Sequence, residues 1–207
     1  MYIERSKLKA NSDLRAAARA QLKGNWGTAV LALLVMILIV GASACTGIGP
    51  IIIGGPFALG LYIFYIKMAR NESPKIENIF DGFKRFGSSL ALYIVIAIFT
   101  YLWMLLFIIP GIIAALRYSL AYFVLNDNPE MGAMEALRKS KELMQGQKGK
   151  LFLLYLSFIG WWFLSMFTLF IGLLWLAPYM QVSLANFYED VKNAHEQAPQ
   201  AAATAAV

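Results

Sequence analysis

The chain has 207 residues, of which 59% are hydrophobic and only 14% are charged, with a net charge of +6. Soluble domains contain roughly 45–50% apolar and about 25% charged residues, so this composition excludes an ordinary soluble domain. One cysteine, Cys45, and one histidine, His195, exclude an intrachain disulfide and argue against a thiolate–imidazole metal site.

Four long apolar runs follow a polar, basic N-terminal segment, at residues 26–44, 48–68, 88–125 and 151–188. About 20 helical residues cross the hydrocarbon core of a bilayer, so the first two runs are one crossing each. The third and fourth runs are about twice that length and should each contain two crossings. Pro110 and Gly111 mark the turn in the third run, and Gly172 marks the turn in the fourth.

The predicted fold is therefore all-α: a polytopic membrane bundle of six transmembrane helices in three hairpins. Residues 1–192 form a single integral membrane domain, and the Ala-rich residues 193–207 are expected to be a disordered tail. The six helices are predicted at about residues 26–44, 48–68, 88–108, 110–125, 151–169 and 171–189.

The basic residues predict the orientation of the bundle. Every Lys and Arg except Arg117 lies before the first crossing, after the last, or in the two connections between successive hairpins, with Lys67 counted at the end of helix two. The positive-inside rule places this side in the cytoplasm, together with the N-terminus and the C-terminus. The first crossing is expected to serve as an uncleaved signal, since the first apolar run is too long for a signal peptide.

Three segments on the predicted cytoplasmic side have apolar residues at helical spacing. Candidate N-caps open them at Ser12, Ser73 and Asn128. Amphipathic interfacial helices lying in the headgroup layer are predicted here. The same pattern favours either three copies of one structural unit or three independent hairpins with similar flanks. In the second segment the apolar residues are Ile76, Ile79, Phe80, Phe83 and Phe86.

Arg117 is the one basic residue predicted inside a crossing, near the middle of helix four. A charge at that depth costs about 2.5–3.5 kcal/mol on insertion scales and often marks a functional site. Two interpretations are open. The long side chain extends toward the membrane surface or meets a neutral partner, or it contacts an anionic ligand such as a lipid headgroup.

Two further groups of polar residues complete the candidate site. Helix six carries polar side chains that are either partners of Arg117 or hydrogen bonds between helices. These residues are Tyr179, Gln181, Ser183 and Asn186. Basic residues that flank the crossings are predicted to face anionic lipid. They are Lys84, Arg85, Lys148 and Lys150.

The sequence predicts no catalytic, cofactor-binding or metal-binding residues and no cofactor. It has no nucleophile paired with a base, no metal-ligand spacing and no phosphate loop, so the protein is not expected to be an enzyme. The positive-inside rule already explains the basic connections, and a nucleic-acid partner is therefore not expected.

Several strings resemble a known family. They are residues 22–26 (LKGNW), 107–111 (FIIPG), 135–161 (EALRKSKELMQGQKGKLFLLYLSFIGW), 173–178 (LLWLAP) and 187–189 (FYE). The chain resembles an uncharacterised bacterial multi-pass membrane protein family that carries a domain-of-unknown-function label. That family is distantly similar to the membrane domain of glycerophosphodiester phosphodiesterases. The resemblance implies the bacterial cytoplasmic (inner) membrane and brings no catalytic residues.

The expected function is that of an integral membrane protein that binds or moves an amphiphilic anionic substrate such as a lipid. Arg117 and the polar face of helix six would lie near the substrate, and the partners would be the lipid bilayer and its anionic headgroups. The alternative is a structural or assembly protein that contacts other membrane proteins and anionic lipid.

Overall fold

The computed structural model describes residues 8–106 and 108–204, and every regular element in these ranges is helical. A 3₁₀ helix, Ala44–Thr46, follows the second α-helix, and a longer one, Ile76–Arg85, runs directly into the fourth. The α-helices are α1 Asn11–Leu22, α2 Trp26–Ser43, α3 Gly49–Ala69, α4 Phe86–Leu106, α5 Ile108–Tyr118, α6 Ala121–Asp127, α7 Ala133–Leu143, α8 Lys148–Leu156, α9 Ile159–Phe167 and α10 Leu173–Thr204.

Five helical segments in the described residues are long and apolar enough to cross a membrane. They are Trp26–Thr46, Gly49–Ala69, Ile76–Leu105, Ile109–Asp127 and Lys148–Phe167. Large apolar side chains on these segments are exposed, as expected where lipid replaces water as the solvent. The architecture is consistent with a multi-pass membrane protein.

The sixth predicted crossing corresponds to the first half of α10, which is not among those five segments. Polar residues such as Gln181 and Asn186 lower its hydropathy. Its apolar residues Leu176, Val182 and Ala185 are nevertheless buried against the other helices. The total of six crossings in three hairpins stays a prediction.

Two predicted crossings are interrupted by serine. α5 ends at Tyr118, and Ser119 Oγ donates to the carbonyl of Leu116 at 2.9 Å. In the same way α8 ends at Leu156, and Ser157 Oγ donates to the carbonyl of Leu154 at 2.6 Å. A hydroxyl that bonds a nearby carbonyl offers the backbone an alternative to the continuing helix.

The predicted turn between the third and fourth crossings is displaced. α4 ends at Leu106 and α5 begins at Ile108, so Pro110 lies in the first turn of α5, where its missing N–H is tolerated. Residue 107 lies outside the described residues. Gly111 lies against Met104, which brings the two helices side by side near the turn.

The predicted amphipathic segment between α3 and α4 packs part of its apolar stripe on α3. Ile79 is fully buried, and the Phe83 ring lies 4.9 Å from that of Phe57 in α3. Gly60 and Gly82 permit the close approach, because a Cβ on either would collide with the backbone of the opposing helix. The prediction is therefore wrong for Ile79 and Phe83, whereas Phe80 and Phe86 are exposed.

The predicted N-caps were also wrong. The helices that follow them are capped at Ala10, Lys75 and Gly132 instead of Ser12, Ser73 and Asn128. The apolar faces of α1 and α7 are buried in the protein, where they include the buried side chains of Leu14 and Leu137. The three polar segments do contain short helices, but buried apolar residues of these helices belong to the protein core.

Glycine residues form the turns before two of the helices, and alanine residues extend the last helix. Gly24 and Gly146 have φ of 85° and 76°, which places a turn before α2 and before α8. α10 continues through Thr204, where a disordered tail was predicted from residue 193. Alanine has the highest helix propensity, which favours extension of a helix already formed. Residues 205–207 lie outside the described residues.

Candidate functional site

Arg117 lies in the last turn of α5, just before the break at Ser119, and near the middle of the segment Ile109–Asp127 that is long and apolar enough to cross a membrane. A cation is favoured at a helix C-terminus, where the dipole is negative. The hydroxyl of Ser140 in α7 donates to the Arg117 carbonyl at 2.8 Å. The Arg117 Nε is buried and has no hydrogen-bond acceptor among the residues described.

The structure separates the four polar residues of helix six. Tyr179 packs edge-on against Phe158, with ring centroids 5.0 Å apart. Ser183 donates to the Tyr179 carbonyl within the helix, at 2.8 Å. Gln181 lies beside the Tyr62 hydroxyl of α3. The four side chains therefore do not form one cluster around Arg117.

Asn186 belongs to a contact between α1, α3 and α10. Its amide nitrogen donates to Gln21 Oε1 at 2.7 Å, and the Gln21 nitrogen donates back to Asn186 Oδ1 at 3.1 Å. The same Gln21 nitrogen also donates to the Ala69 carbonyl at 2.8 Å, at the end of α3. Asn186 therefore forms hydrogen bonds between helices, which is one of the two interpretations of the polar residues on helix six.

Three of the four basic residues expected to face lipid are engaged within the protein. Lys84 pairs with Asp81 at 2.7 Å. Arg85 Nη1 donates to the carbonyls of Leu125 and Asn126 at the end of α6, at 2.6 and 3.2 Å.

The two basic residues at the start of α8 differ in the charge of their neighbours. Lys150 pairs with the largely buried Asp190 at 3.6 Å. Lys148, by contrast, lies within electrostatic reach of Arg117 and Lys141, two further cations.

The strongest polar cluster of the described residues was not predicted. Asp127, at the end of α6, is only 8% exposed and accepts hydrogen bonds from three residues on two other segments. Arg70 Nη2 donates to both of its oxygens at 2.7 and 2.9 Å, Lys192 Nζ donates at 2.6 Å, and Tyr188 Oη donates at 3.0 Å. Arg70 also contacts Glu189 at 2.8 Å. We call these five residues the Asp127 cluster.

Burial disfavours the charged form of Arg70, but the carboxylates of Asp127 and Glu189 outweigh it and hold the pKa of the guanidinium above its ordinary value. The cluster joins the ends of α3 and α6 to α10. A sequence signal for it exists: a charged residue followed by asparagine occurs at the ends of α3 and α6 and within α10. The three pairs are Arg70-Asn71, Asp127-Asn128 and Lys192-Asn193.

An apolar cavity of about 420 Å³ lies between α9, the first half of α10 and the start of α2. Arg19 of α1 is the one charged residue in its lining. Tryptophan supplies much of the wall, and the lining residues are Arg19, Trp26, Trp161, Leu164, Ser165, Thr168, Gly172, Trp175, Leu176 and Tyr179. A second, smaller groove of about 260 Å³ beside Phe152 and Met180 has no charged residue in its lining.

The cavity fits an apolar chain attached to a polar group. Ligand pockets are typically about 300–1,000 Å³ and mostly apolar, with a few polar groups that orient the ligand. Arg19 is exposed and makes no ion pair within the described ranges, so its guanidinium is available to a carboxylate or phosphate. No group of three or more His, Cys, Asp or Glu side chains in those ranges is placed to hold a metal ion.

The helices and their exposed apolar surfaces are consistent with a multi-pass membrane protein of unknown activity. The chain belongs to the family described as protein of unknown function (DUF975), whose model matches residues 1–116 and 104–195. This match supports the resemblance to an uncharacterised family. No curated protein and no solved structure matches the chain.

Proposed function

We propose that this protein binds an anionic amphiphile, with the apolar chain in the tryptophan-lined cavity and the anionic group at Arg19. The observation that carries the proposal is the composition of the cavity, in which one cation, without an ion pair among the described residues, adjoins a mostly apolar wall. Of the four polar residues predicted to form a site on helix six, only Tyr179 lines this wall, so the site differs from the one predicted around Arg117.

The position of Arg19 along the chain supports this orientation of the ligand. Arg19 and Trp26 flank the basic turn at Gly24, on the side predicted to be cytoplasmic, whereas Gly172 belongs to the opposite turn. Tryptophan favours the level of the membrane interface. An amphiphile bound with its anionic group at Arg19 would therefore be aligned with the surrounding lipids.

The headgroup, rather than the acyl chain, should decide which amphiphile binds. An acyl chain gains about 0.8 kcal/mol per buried CH₂ on leaving water, but the bilayer already offers that gain. The cavity can compete with the bilayer only through shape and through contact with the headgroup. The planar guanidinium of Arg19 offers two parallel hydrogen bonds to a carboxylate or phosphate.

Quenching of tryptophan fluorescence by brominated acyl chains tests the proposal. Substitutions Trp103→Phe and Trp162→Phe leave the three tryptophans of the cavity as the reporters. Brominated phosphatidylglycerol should quench them at lower lipid fractions than brominated phosphatidylcholine, and Arg19→Gln should abolish that preference. Lys84→Gln, which removes an exposed cation paired with Asp81, is the matched control. Equal quenching by the two lipids in the unsubstituted Arg19 protein would refute the proposal.

The alternative is a structural or assembly protein that contacts other membrane proteins and anionic lipid. The Asp127 cluster favours it, because that cluster ties the ends of three segments together. This alternative requires a stable complex with another membrane protein that survives purification and no lipid preference in the quenching assay.

A further inference from the structure

Three cations gather where the last turn of α5, the helix α7 and the first turn of α8 meet. The bond from Ser140 to the Arg117 carbonyl places Lys141, the next residue of α7, near the end of α5. The helix α5 packs against both α7 and α8, and Arg117 and Lys141 lie close enough to Lys148 for their charges to act on its ammonium group. Like charges repel one another, so an anion placed among these three side chains would be stabilised.

The protein supplies no anion to the cluster from α7. Glu135 accepts a hydrogen bond from the Gly132 N–H at 3.2 Å, and Glu142 pairs with Lys139 at 3.6 Å. The buried Arg117 Nε finds no acceptor in the described part of the chain. A buried donor left without an acceptor costs about 1–3 kcal/mol, and an external acceptor would recover that cost.

The first turn of α8 adds backbone donors at the same place. The first hydrogen bond of α8 runs from the Leu151 N–H to the Gln147 carbonyl, at 3.1 Å. The N–H groups of residues 148–150 therefore have no acceptor within the helix. The positive end of the helix dipole and these N–H groups together favour an anion.

We infer that Arg117, Lys148 and the first turn of α8 form a binding site for a phosphate group. The phosphate is carried either by a lipid headgroup or by a soluble phosphate compound. Guanidinium offers phosphate a fork of two donors and the lysine offers a point charge, which is the usual pairing at phosphate sites. This site is separate from the tryptophan-lined cavity, whose lining contains neither residue.

Two probes distinguish the sources of the phosphate. The full chain is purified in detergent and stripped of lipid. Inorganic phosphate is titrated by calorimetry, and dioleoylphosphatidylglycerol is titrated by native mass spectrometry beside dioleoylglycerol, which has the same chains and no phosphate. The variants are Arg117→Gln, Arg117→Lys and Lys148→Gln, and Lys84→Gln is the control that removes an exposed, paired cation.

Binding of inorganic phosphate would identify a soluble phosphate compound, and binding of phosphatidylglycerol alone would identify a lipid headgroup. In either case Arg117→Gln should weaken binding at least about tenfold, the effect of losing one charge-assisted contact. Arg117→Lys should retain part of the affinity, Lys148→Gln should weaken binding several-fold, and Lys84→Gln should change nothing.

The inference is overturned if neither probe binds, if dioleoylglycerol binds as well as phosphatidylglycerol, or if the Arg117 and Lys148 variants bind like the unsubstituted protein. Should Arg117→Gln fail to fold, the Arg117→Lys and Lys148→Gln variants decide the outcome. Arg19→Gln should leave this site unaffected, which keeps a failure here distinct from a failure of the proposed amphiphile cavity.

Discussion

Replacing Asp127 with asparagine should destabilise the protein more than any comparable loss of a surface carboxylate. The substitution keeps the size of the side chain but removes the charge that Arg70 and Lys192 share, at 2.7 and 2.6 Å. Both cations are about one-third exposed, at 30%, whereas Asp127 is 8% exposed. The two cations would then face each other without the carboxylate.

The magnitude follows from the burial of the cluster. Breaking a buried ion pair by removing one partner costs about 3–5 kcal/mol, and the partial exposure of both cations favours the lower value of about 3 kcal/mol. For a protein of this length, 1 kcal/mol shifts Tm by about 2–4 °C, so Asp127→Asn should lower Tm by about 6–12 °C.

Thermal unfolding of the purified protein in one detergent measures the effect. Asp81→Asn is the matched control, since Asp81 pairs with the 77% exposed Lys84 three residues away. An exposed pair of this kind contributes about 0–1 kcal/mol, so the control should shift Tm by less than about 4 °C. Equal shifts for the two variants would refute the reasoning.

A double-mutant cycle isolates the contact itself. Arg70→Gln and Asp127→Asn are measured singly and together, and residues in one ion cluster should show a coupling energy of about 0.5–3 kcal/mol. Additive effects would mean that Asp127 stabilises the fold without Arg70. That result would leave the Lys192 and Tyr188 contacts as the source.

Three further predictions concern orientation and packing. Exposed Cys45 should react with a membrane-impermeant maleimide outside intact cells, and labelling only after permeabilisation would overturn the predicted orientation. A spin label at the exposed Phe80 should be accessible to oxygen and one at buried Ile79 should not; equal accessibility would contradict the packing of this segment on α3. Gly60→Ala should cost about 1–3 kcal/mol in unfolding assays through overpacking, whereas Gly27→Ala, with open space around it, should not destabilise the protein.

Hydropathy and charge predicted most of the helices that are apolar along their whole length. The first two crossings, predicted at residues 26–44 and 48–68, correspond to Trp26–Ser43 and Gly49–Ala69. Long apolar runs bounded by glycine or basic residues determine such helices locally. The start of α10 was predicted two residues early, at residue 171, because Gly172 was the one turn signal in that run.

The breaks at Ser119 and Ser157 could not be predicted in the same way. Serine occurs within membrane helices and outside them, and the outcome depends on whether its hydroxyl bonds a carbonyl of the preceding turn. Because of the break at Ser119, Arg117 lies in the last turn of α5 instead of inside a continuous helix. Its cationic neighbours, Lys141 and Lys148, come from segments that the sequence places in a separate connection.

The Asp127 cluster shows how charge placement and packing must be reconciled in this fold. The positive-inside rule concentrates cations at one end of the bundle, and the ends of α3 and α6 meet α10 at that same end. Arg70 and Lys192 would repel each other there, because both lie within 2.7 Å of the same oxygen of Asp127. A carboxylate at the end of α6 removes that repulsion and forms ion pairs with both. The contacts join residues that are 57 and 65 positions apart, so the periodicity of a single helix cannot predict them.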